Sequence, residues 1–264
     1  MSKPIIFYDI PCLSKSKVFS PHTWKIRLSL NFKGLPYKTV WVEYPDIQAL
    51  CRKIGASAGD KAEDGTPIYT LPAIYDPNTK TTVSDSMAIA RYLDKTYPDT
   101  PRLIPPGTDV LTVAFEKALH GTFAPPPPFR FVIIPAAFEK LRAASQPYFR
   151  ATREKRFNKK IEDIAPKGSE FRAECWRKTE EGFSKMAKWY EADGEEKLLV
   201  MGDKGGASYA DFVIAGVFSW FRDCLGEESE EWKSVEKWDG GRWIRLLSVM
   251  EQYSTVDVGE EVRL

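Results

Sequence analysis

Histidine and cysteine are scarce in this sequence, which limits the chemistry that its side chains can supply on their own. Only two histidines, His22 and His120, are present, and the four cysteines are scattered without a CxxC pair. Neither residue type occurs at metal-ligand spacing, so the sequence predicts no metal site, no disulfide framework and no histidine-based triad. We therefore expect reduced thiols and a reaction that borrows a small-molecule cofactor.

The charges are nearly balanced, and no long run carries a single sign. Thirty-eight basic residues accompany 37 acidic ones, which gives a formal net charge of +1. Proteins that bind nucleic acid or anionic membranes usually present a basic patch, so this balance argues against both partners. The first residues lack the apolar core of a signal peptide, and no apolar run approaches the ~20 residues of a membrane span. We expect a cytoplasmic protein.

The pattern of hydrophobic residues divides the chain into two parts. A chain of 264 residues that is 43% hydrophobic is at the upper limit of one core, so two domains are expected. Residues 1–100 follow the order βαβαββα, which is typical of a thioredoxin-like domain. Residues 107–264 show helical spacing without clear strand-like alternation. We predict an α/β thioredoxin-like domain followed by an all-α helical domain, with a proline-containing linker between them.

Local signals place the elements of each domain. Ser20 is a good helix cap, Pro21 suits the first helical position, and Gly34 ends the apolar repeat between them. A polar, glycine-rich loop over residues 55–65 precedes the strand that enters Leu71-Pro72. In the second domain, helical spacing predicts five helices, at residues 111–119, 135–157, 171–190, 209–225 and 243–253.

The segment from Thr70 to Leu93 carries the clearest binding signal. Pro72 stands at the mouth of an apolar strand-like run, cannot donate a ladder hydrogen bond and tolerates a cis peptide bond. The backbone of Leu71 is therefore free for a ligand. Asp85 and Ser86 follow at the start of a helix, where free amides and a carboxylate suit the ends of an amino-acid-like group. The alternative is structural: the proline ends a strand, and the polar residues cap a helix.

This layout resembles the glutathione-binding domain of the glutathione transferases. The resemblance implies that the Leu71 backbone, next to cis-Pro72, pairs with the cysteinyl part of glutathione. It implies further that Asp85 and Ser86 hold the γ-glutamyl end, although the family more usually has Glu at the position of Asp85. Glutathione as co-substrate and a homodimer are also implied. The partner of the glycyl carboxylate stays open between Lys53 and Lys61.

Ser20 is our candidate for activating the thiol of glutathione. A free thiol with a pKa near 8.5 is only a few per cent ionised at pH 7, so an enzyme must stabilise the thiolate. Ser20-Pro21 resembles the Ser-Pro or Cys-Pro start of the first helix in several transferase classes. The alternative is a plain helix cap. The other hydroxyl candidates in this region are Ser14, Ser16 and Thr23.

Cys12 offers a different chemistry from Ser20. If its sulfur faced the ligand, the protein would form a mixed disulfide and act as a thiol transferase. A serine cannot form that bond. With Ser20 in the role we predict conjugation, peroxide reduction or thioether-forming cleavage.

The segment Ser20-Pro21-His22-Thr23-Trp24-Lys25 and the long loop before Leu71 resemble those of fungal-type transferases related to bacterial β-etherases, which cleave aryl ethers of lignin fragments. Hydrophobic aromatic compounds are the second substrates that this resemblance implies. The alternative is a protein that binds plant phenolics or other hydrophobic compounds with little or no turnover. We place the second ligand between the domains. Its candidate wall is the aromatic-flanked segment with Phe123, Pro125, Phe129 and Phe131, unless these residues form a connector whose aromatics serve the core.

Overall fold

A computed structural model describes residues 3–62 and 64–264, so that Met1, Ser2 and Glu63 lie outside the described residues. The N-terminal half alternates strands and helices as its sequence predicts. Its elements are β1 (Ile5–Asp9), α1 (Pro21–Phe32), β2 (Tyr37–Trp41), α2 (Ile47–Ile54), β3 (Asp60–Lys61), β4 (Pro67–Ile68), β5 (Ala73–Asp76), β6 (Thr81–Ser84) and α3 (Ser86–Thr96). The short strands β3 and β4 form an antiparallel hairpin that begins inside the predicted polar loop.

The C-terminal half is helical up to a final short strand. Its elements are α4 (Asp109–Gly121), α5 (Phe129–Lys140), α6 (Gln146–Phe157), α7 (Glu170–Ala187), α8 (Tyr209–Leu225), α9 (Glu230–Val235), α10 (Arg242–Met250) and β7 (Glu260–Glu261). Together the two halves confirm the predicted fold class, an α/β thioredoxin-like domain followed by a helical domain. Among residues 3–62 and 64–264, no helix is both long and apolar enough to cross a membrane.

The main sheet has the strand order β6-β5-β1-β2-β7. β1 pairs in parallel with β2 and antiparallel with β5, and β5 continues into the antiparallel pair with β6. In the last of these pairs Ala73 lies opposite Ser84. The chain therefore leaves β6 toward α3 at the same end of the sheet where it enters β5. This register brings the two halves of the predicted binding motif together.

Helix α1 lies between the sheet domain and the helical domain. Trp24, Ile26, Leu28 and Leu30 are all buried, so several sides of this helix are covered. It packs mainly against α8 and also against α3. The tightest point is Gly216 on α8, where an added Cβ would lie 2.6 Å from the carbonyl oxygen of Pro21. α8 therefore fixes the first turn of α1.

The C-terminal tail returns to the sheet domain. Val40 and Trp41 of β2 pair with Glu260 and Glu261 of β7. Before this pairing, the carboxylate of Asp257 accepts hydrogen bonds from the backbone amide of Thr39 at 2.8 Å and from Arg27 Nη1 at 3.2 Å. The end of the predicted helical domain thus completes the N-terminal sheet.

One predicted helix is divided in two. The segment 135–157 was expected to form a single helix, but α5 ends at Lys140 and α6 begins at Gln146. Leu141 adopts an extended conformation and forms a bridge with Cys12, and the amide of Leu13 donates to the carbonyl of Lys140 at 2.8 Å. The helix is interrupted because the backbone of Lys140 and Leu141 pairs with Leu13 and Cys12 in the loop after β1. Pro135 instead sits within α5 without ending it.

Candidate active site

Ser20 caps the N-terminus of α1 and faces a cavity. Its backbone is extended, with φ −111° and ψ 137°, and its Oγ accepts a hydrogen bond from the amide of His22 at 3.2 Å. In residues 3–62 and 64–264, Oγ has no acceptor for its own proton. The side chain is 7% exposed and lines the cavity. The hydroxyl is therefore available to donate to a ligand at a helix N-terminus.

The other hydroxyl candidates point elsewhere. Thr23 Oγ1 donates to the carbonyl of Ser20 at 3.0 Å and is buried. Ser16 Oγ donates to Asp223 at 2.8 Å, and Ser14 Oγ lies 3.0 Å from Ser16 Oγ. Ser14 and Ser16 line a different cavity, beside Trp24 and Asp223. The geometry therefore separates Ser20 from its three competitors.

Cys12 is buried and does not line the Ser20 cavity. Its Sγ donates to the carbonyl of Val18 at 3.3 Å and lies 3.0 Å from Ser14 Oγ. Burial raises the pKa of the Cys12 thiol to about 11. A thiol with that pKa is protonated at neutral pH and is a poor nucleophile. This position does not suit a mixed disulfide with a ligand next to Ser20.

The peptide bond between Leu71 and Pro72 is cis, and the backbone of Leu71 is unpaired. Its amide and carbonyl make no hydrogen bond to any part of the chain that the structure describes. The Leu71 side chain is 6% exposed, so these polar groups sit at the edge of the core. Buried backbone groups are almost always paired. An unpaired amide and carbonyl beside the core are therefore a natural place for a peptide-like ligand.

Asp85 and Ser86 leave the sheet at the end where Leu71-Pro72 enters it. The last registered pair of β5 and β6 is Ala73 with Ser84, so both motifs directly adjoin this pair. Asp85 caps α3: its Oδ1 accepts from the amides of Met87 at 3.0 Å and Ala88 at 2.9 Å. Its other carboxylate oxygen has no partner among the residues described.

Asp85 also has an unusual backbone conformation. Its φ is 77°, a region that residues other than glycine rarely adopt and that is common at ligand sites. The side chain is exposed, whereas Ser86 is 7% exposed. The carboxylate therefore serves as a helix cap and still presents one oxygen to solvent.

The cavity that Ser20 lines has a volume of about 330 Å³. It lies between the first turn of α1 and the helical domain, and Thr70, the residue before Leu71, belongs to its wall. The wall is mainly apolar and aromatic, with contributions from Phe19, Tyr44, Leu119, Phe129, Ile134, Phe149, Phe157, Val213, Val217 and Trp220. Ser20 and Thr70, the residue before Leu71, thus line the same apolar chamber.

Of the four residues expected to form the wall, Phe129 lines this cavity and the other three do not. Phe123 is buried in the helical core, edge-on to Phe183 at a centroid distance of 5.2 Å. Its ring occupies the space that a Cβ on Gly182 would need, which explains why it faces inward. Phe131 packs against Phe157 and Phe171, and Pro125 is exposed. Phe123 and Pro125 thus lie in the connector between α4 and α5, as in the alternative interpretation, whereas Phe131 belongs to α5.

The sequence interpretation missed Phe149 and Trp220 as cavity residues. Both belong to helices, α6 and α8, whose apolar spacing was identified, but periodicity does not tell a core face from a cavity wall. It also missed the basic side chains of the wall, among them Lys25, which is ion-paired with Glu116 at 2.8 Å. Both histidines of the chain, His22 and His120, lie there as well.

Neither lysine proposed for the glycyl carboxylate lines the cavity. Lys53 Nζ donates to the carbonyl of Arg263 at 3.0 Å, and Lys61 is exposed in β3. In the described part of the chain, no cluster of three or more His, Cys, Asp or Glu side chains is placed to hold a metal ion. The chemistry of the site therefore depends on a hydroxyl, a helix N-terminus and unpaired backbone.

Comparisons with known proteins show which family the chain belongs to. Residues 19–96 match the family model described as glutathione S-transferase, N-terminal domain, and residues 110–253 match that of the C-terminal domain. The glutathione S-transferase-like protein ustS of Aspergillus flavus is 31% identical, over 96% of this chain and 98% of that protein.

Two solved structures of fungal proteins are more similar still. A glutathione S-transferase of Ceriporiopsis subvermispora, in complex with glutathione, is 49% identical with a TM-score of 0.93, covering 97% of this chain and 100% of that one. Glutathione transferase GSTFuA3 from Phanerochaete chrysosporium is 45% identical with a TM-score of 0.90, covering 98% and 100%. The resemblance inferred from Leu71-Pro72 and Asp85-Ser86 is confirmed: the chain belongs to the glutathione S-transferase family, among its fungal members.

Proposed function

We propose that this protein is a serine-type glutathione transferase in which the Ser20 hydroxyl donates a hydrogen bond to the thiolate of bound glutathione. The observation that carries the proposal is the free Oγ proton of Ser20 at a helix N-terminus, inside the cavity that also contains Thr70. The partial positive charge of a helix N-terminus favours an anion at this point.

Glutathione would be held by the groups that the sheet brings together. The unpaired amide and carbonyl of Leu71 suit the backbone of the cysteinyl residue, in the manner of an added strand. The free carboxylate oxygen of Asp85 suits the ammonium group of the γ-glutamyl end. Ser86 would bind the carboxylate of that same end through its hydroxyl. The thiol then points toward Ser20.

The energy of one hydrogen bond is enough to lower the pKa of the glutathione thiol to near neutral pH. A hydrogen bond to a charged acceptor contributes about 1.5 to 3 kcal/mol, and one pKa unit corresponds to about 1.4 kcal/mol. One donor therefore lowers the thiol pKa by roughly one to two units, which makes the thiolate a major species near neutral pH. Its sulfur attacks the electrophilic atom of the second substrate, and the leaving group departs with the bonding electrons.

The second substrate in this proposal is a hydrophobic aromatic compound in the chamber lined by Phe129, Phe149 and Trp220. Aryl halides, organic hydroperoxides and aryl ethers are the electrophile classes to compare. The homodimer and the cytoplasmic location implied by the family resemblance remain predictions, and solution mass and cellular fractionation test them.

The alternative function is a binding protein for phenolic or other hydrophobic compounds with little turnover. The observation that favours it is the wall itself, because most of the apolar lining comes from α5, α6 and α8, outside the sheet domain that contains Ser20 and Leu71. In that case Ser20 would act only as the cap of α1.

Steady-state turnover separates the two functions. Wild type, Ser20→Ala and the control Ser14→Ala, which removes a hydroxyl outside the cavity, are assayed with glutathione and an aryl halide, a hydroperoxide, a β-aryl ether or a disulfide. We expect turnover of at least one of the first three, lost in Ser20→Ala and kept in Ser14→Ala. Tight glutathione binding without turnover of any substrate would support the binding protein. Disulfide reduction that persists in Ser20→Ala would indicate Cys12 as the reactive group instead of Ser20.

A further inference from the structure

The charged side chains that line the Ser20 cavity are all basic. Besides Lys25, the wall includes Arg130 in the first turn of α5 and Arg153 and Arg156 on α6. No aspartate or glutamate belongs to the lining among residues 3–62 and 64–264. An uncharged hydrophobic compound needs no cation in its binding site. Basic side chains in an otherwise apolar chamber therefore indicate a more specific class of ligand.

The three arginines are not neutralised by the protein. Lys25 has its own acid, Glu116, but Arg130, Arg153 and Arg156 form no ion pair within the part of the chain that the structure describes. The nearby acids of α6 and the following turn, Glu154 and Glu162, are ion-paired with Arg150.

The three arginines also act on one another. Burial lowers the pKa of Arg130, and the positive charges of Arg156 and Arg153 lower it further. Like charges held together without a counterion are unfavourable. The positive charge of these arginines is therefore available to pair with a bound anion.

One of the three guanidinium groups is held in place by aromatic rings. The guanidinium carbon of Arg153 lies 4.4 Å from the ring centre of Phe149 and 5.6 Å from that of Tyr44. Its Nη1 donates to Thr152 Oγ1 at 2.9 Å. Stacking of this kind fixes the plane of a guanidinium, and a fixed guanidinium matches a planar carboxylate with two parallel hydrogen bonds.

We propose that the cavity selects an aromatic second ligand that carries an anionic oxygen group, such as a carboxylate, bound by Arg130, Arg153 and Arg156. The inference rests on the proposed function in assigning this cavity to the second ligand. The aromatic body of the ligand fills the chamber beside Phe129 and Trp220, and its anionic group pairs with the arginines. The ligand class is thus narrower than hydrophobic compounds in general.

The glycyl carboxylate of glutathione is the other carboxylate available to these arginines. The residues proposed for glutathione, from Ser20 to Ser86, all belong to the sheet domain, whereas the three arginines belong to α5 and α6. This division favours the second ligand over the glycyl carboxylate of glutathione as the partner of the three arginines. The experiment distinguishes the two sources by measuring both affinities.

The test compares 2-naphthoate with its uncharged methyl ester by quenching of tryptophan fluorescence, since Trp220 lines the cavity. Wild type is expected to bind the acid about tenfold or more tightly than the ester, as one charged hydrogen bond implies. The double variant Arg130→Gln/Arg153→Gln, which removes the two partly buried arginines of the wall, should lose most of this preference and keep its affinity for the ester and for glutathione. Arg102→Gln, which removes an exposed arginine outside the cavity, should behave as wild type.

Salt provides a readout without any substitution, which keeps the proposal testable if the double variant folds poorly. Affinity for the acid should fall as ionic strength rises, and affinity for the ester should not. Equal binding of acid and ester by wild type, or an undiminished preference for the acid in the folded double variant, would overturn the proposal. So would a double variant that loses glutathione affinity alone, because the arginines would then serve the glycyl carboxylate.

These outcomes are independent of turnover. If Ser20→Ala leaves catalysis unchanged while the preference for the acid depends on the arginines, the proposed role of Ser20 fails and the anion site stands. If Ser20→Ala abolishes catalysis but acid and ester bind equally, the proposed role of Ser20 stands and the anion site fails.

Discussion

Gly216 of α8 lies directly against the carbonyl oxygen of Pro21, the first residue of α1. An added Cβ at Gly216 would lie 2.6 Å from that oxygen, closer than real Cβ contacts. The atom it meets is backbone, so a side-chain rotation cannot relieve the clash. Because Pro21 follows Ser20, the helical domain controls where the proposed thiolate donor sits.

We therefore predict that Gly216→Ala destabilises the protein by about 1 to 3 kcal/mol, as overpacking usually does, and also lowers glutathione-dependent turnover. Gly121→Ala is the matched control, since nothing lies within 4 Å of the Cβ it adds to a helix. Urea unfolding and turnover are measured for both. Gly216→Ala with wild-type stability and activity would show that α8 does not fix the first turn of α1.

Asp85→Asn separates the two roles of Asp85. Asparagine can keep the cap of α3 and tolerates positive φ, so the free energy of unfolding should change little. The charge is lost, and glutathione affinity should fall roughly tenfold or more. Calorimetric titration measures this affinity. Asp109→Asn is the control, because Asp109 is an exposed acid paired with Arg91. Unaltered glutathione affinity in Asp85→Asn would mean that the γ-glutamyl end lies elsewhere.

Asp223 should make stability depend on pH. Burial raises its pKa to about 6, although Ser16 and Trp24 donate hydrogen bonds to Oδ2 at 2.8 and 3.1 Å and act against burial. An acid whose pKa is raised on folding contributes stability below its unfolded pKa of about 3.9, and that contribution is lost as pH rises through 6.

Asp223→Asn removes this ionisation. The variant should gain stability over wild type between about pH 4 and 6, reaching a constant advantage of about 1 to 3 kcal/mol at pH 7. Unfolding by urea at a series of pH values measures the difference. A difference that does not change with pH would show that Asp223 has an ordinary pKa in the folded protein.

Cys12→Ser should leave glutathione-dependent turnover close to that of wild type. The Cys12 thiol is buried, and its pKa of about 11 keeps it protonated at neutral pH. For the same reason Cys12 should react with iodoacetamide at pH 7 far more slowly than free cysteine, as mass spectrometry of the labelled protein will report. Loss of activity in a folded Cys12→Ser variant would place the sulfur in the reaction.

Local motifs in the sequence located much of the candidate site. Ser20-Pro21, Leu71-Pro72 and Asp85-Ser86 each depend on neighbouring residues, on a cap or on the missing amide of proline, and such features can be predicted from a short segment. The β5–β6 register then places the last two motifs together.

Features that depend on distant partners were not predictable in this way. β7 is a two-residue strand with no periodicity of its own, and it exists because the tail meets β2 and Arg27. The break between α5 and α6 reflects pairing of Leu141 with Cys12, more than a hundred positions away. The cavity wall likewise depends on which helix faces meet, so Phe123 lies in the core although it was expected in the wall, and Trp220 lines the cavity without having been predicted to.

The role of Ser20 is tested most directly by the ionisation of the bound thiol. The ultraviolet absorbance of the thiolate is titrated against pH at saturating glutathione for wild type, Ser20→Ala and the control Ser14→Ala. We predict a midpoint roughly one to two units below the free thiol value of about 8.5 in wild type and Ser14→Ala, returning close to 8.5 in Ser20→Ala. The same lowered midpoint in Ser20→Ala would contradict the account.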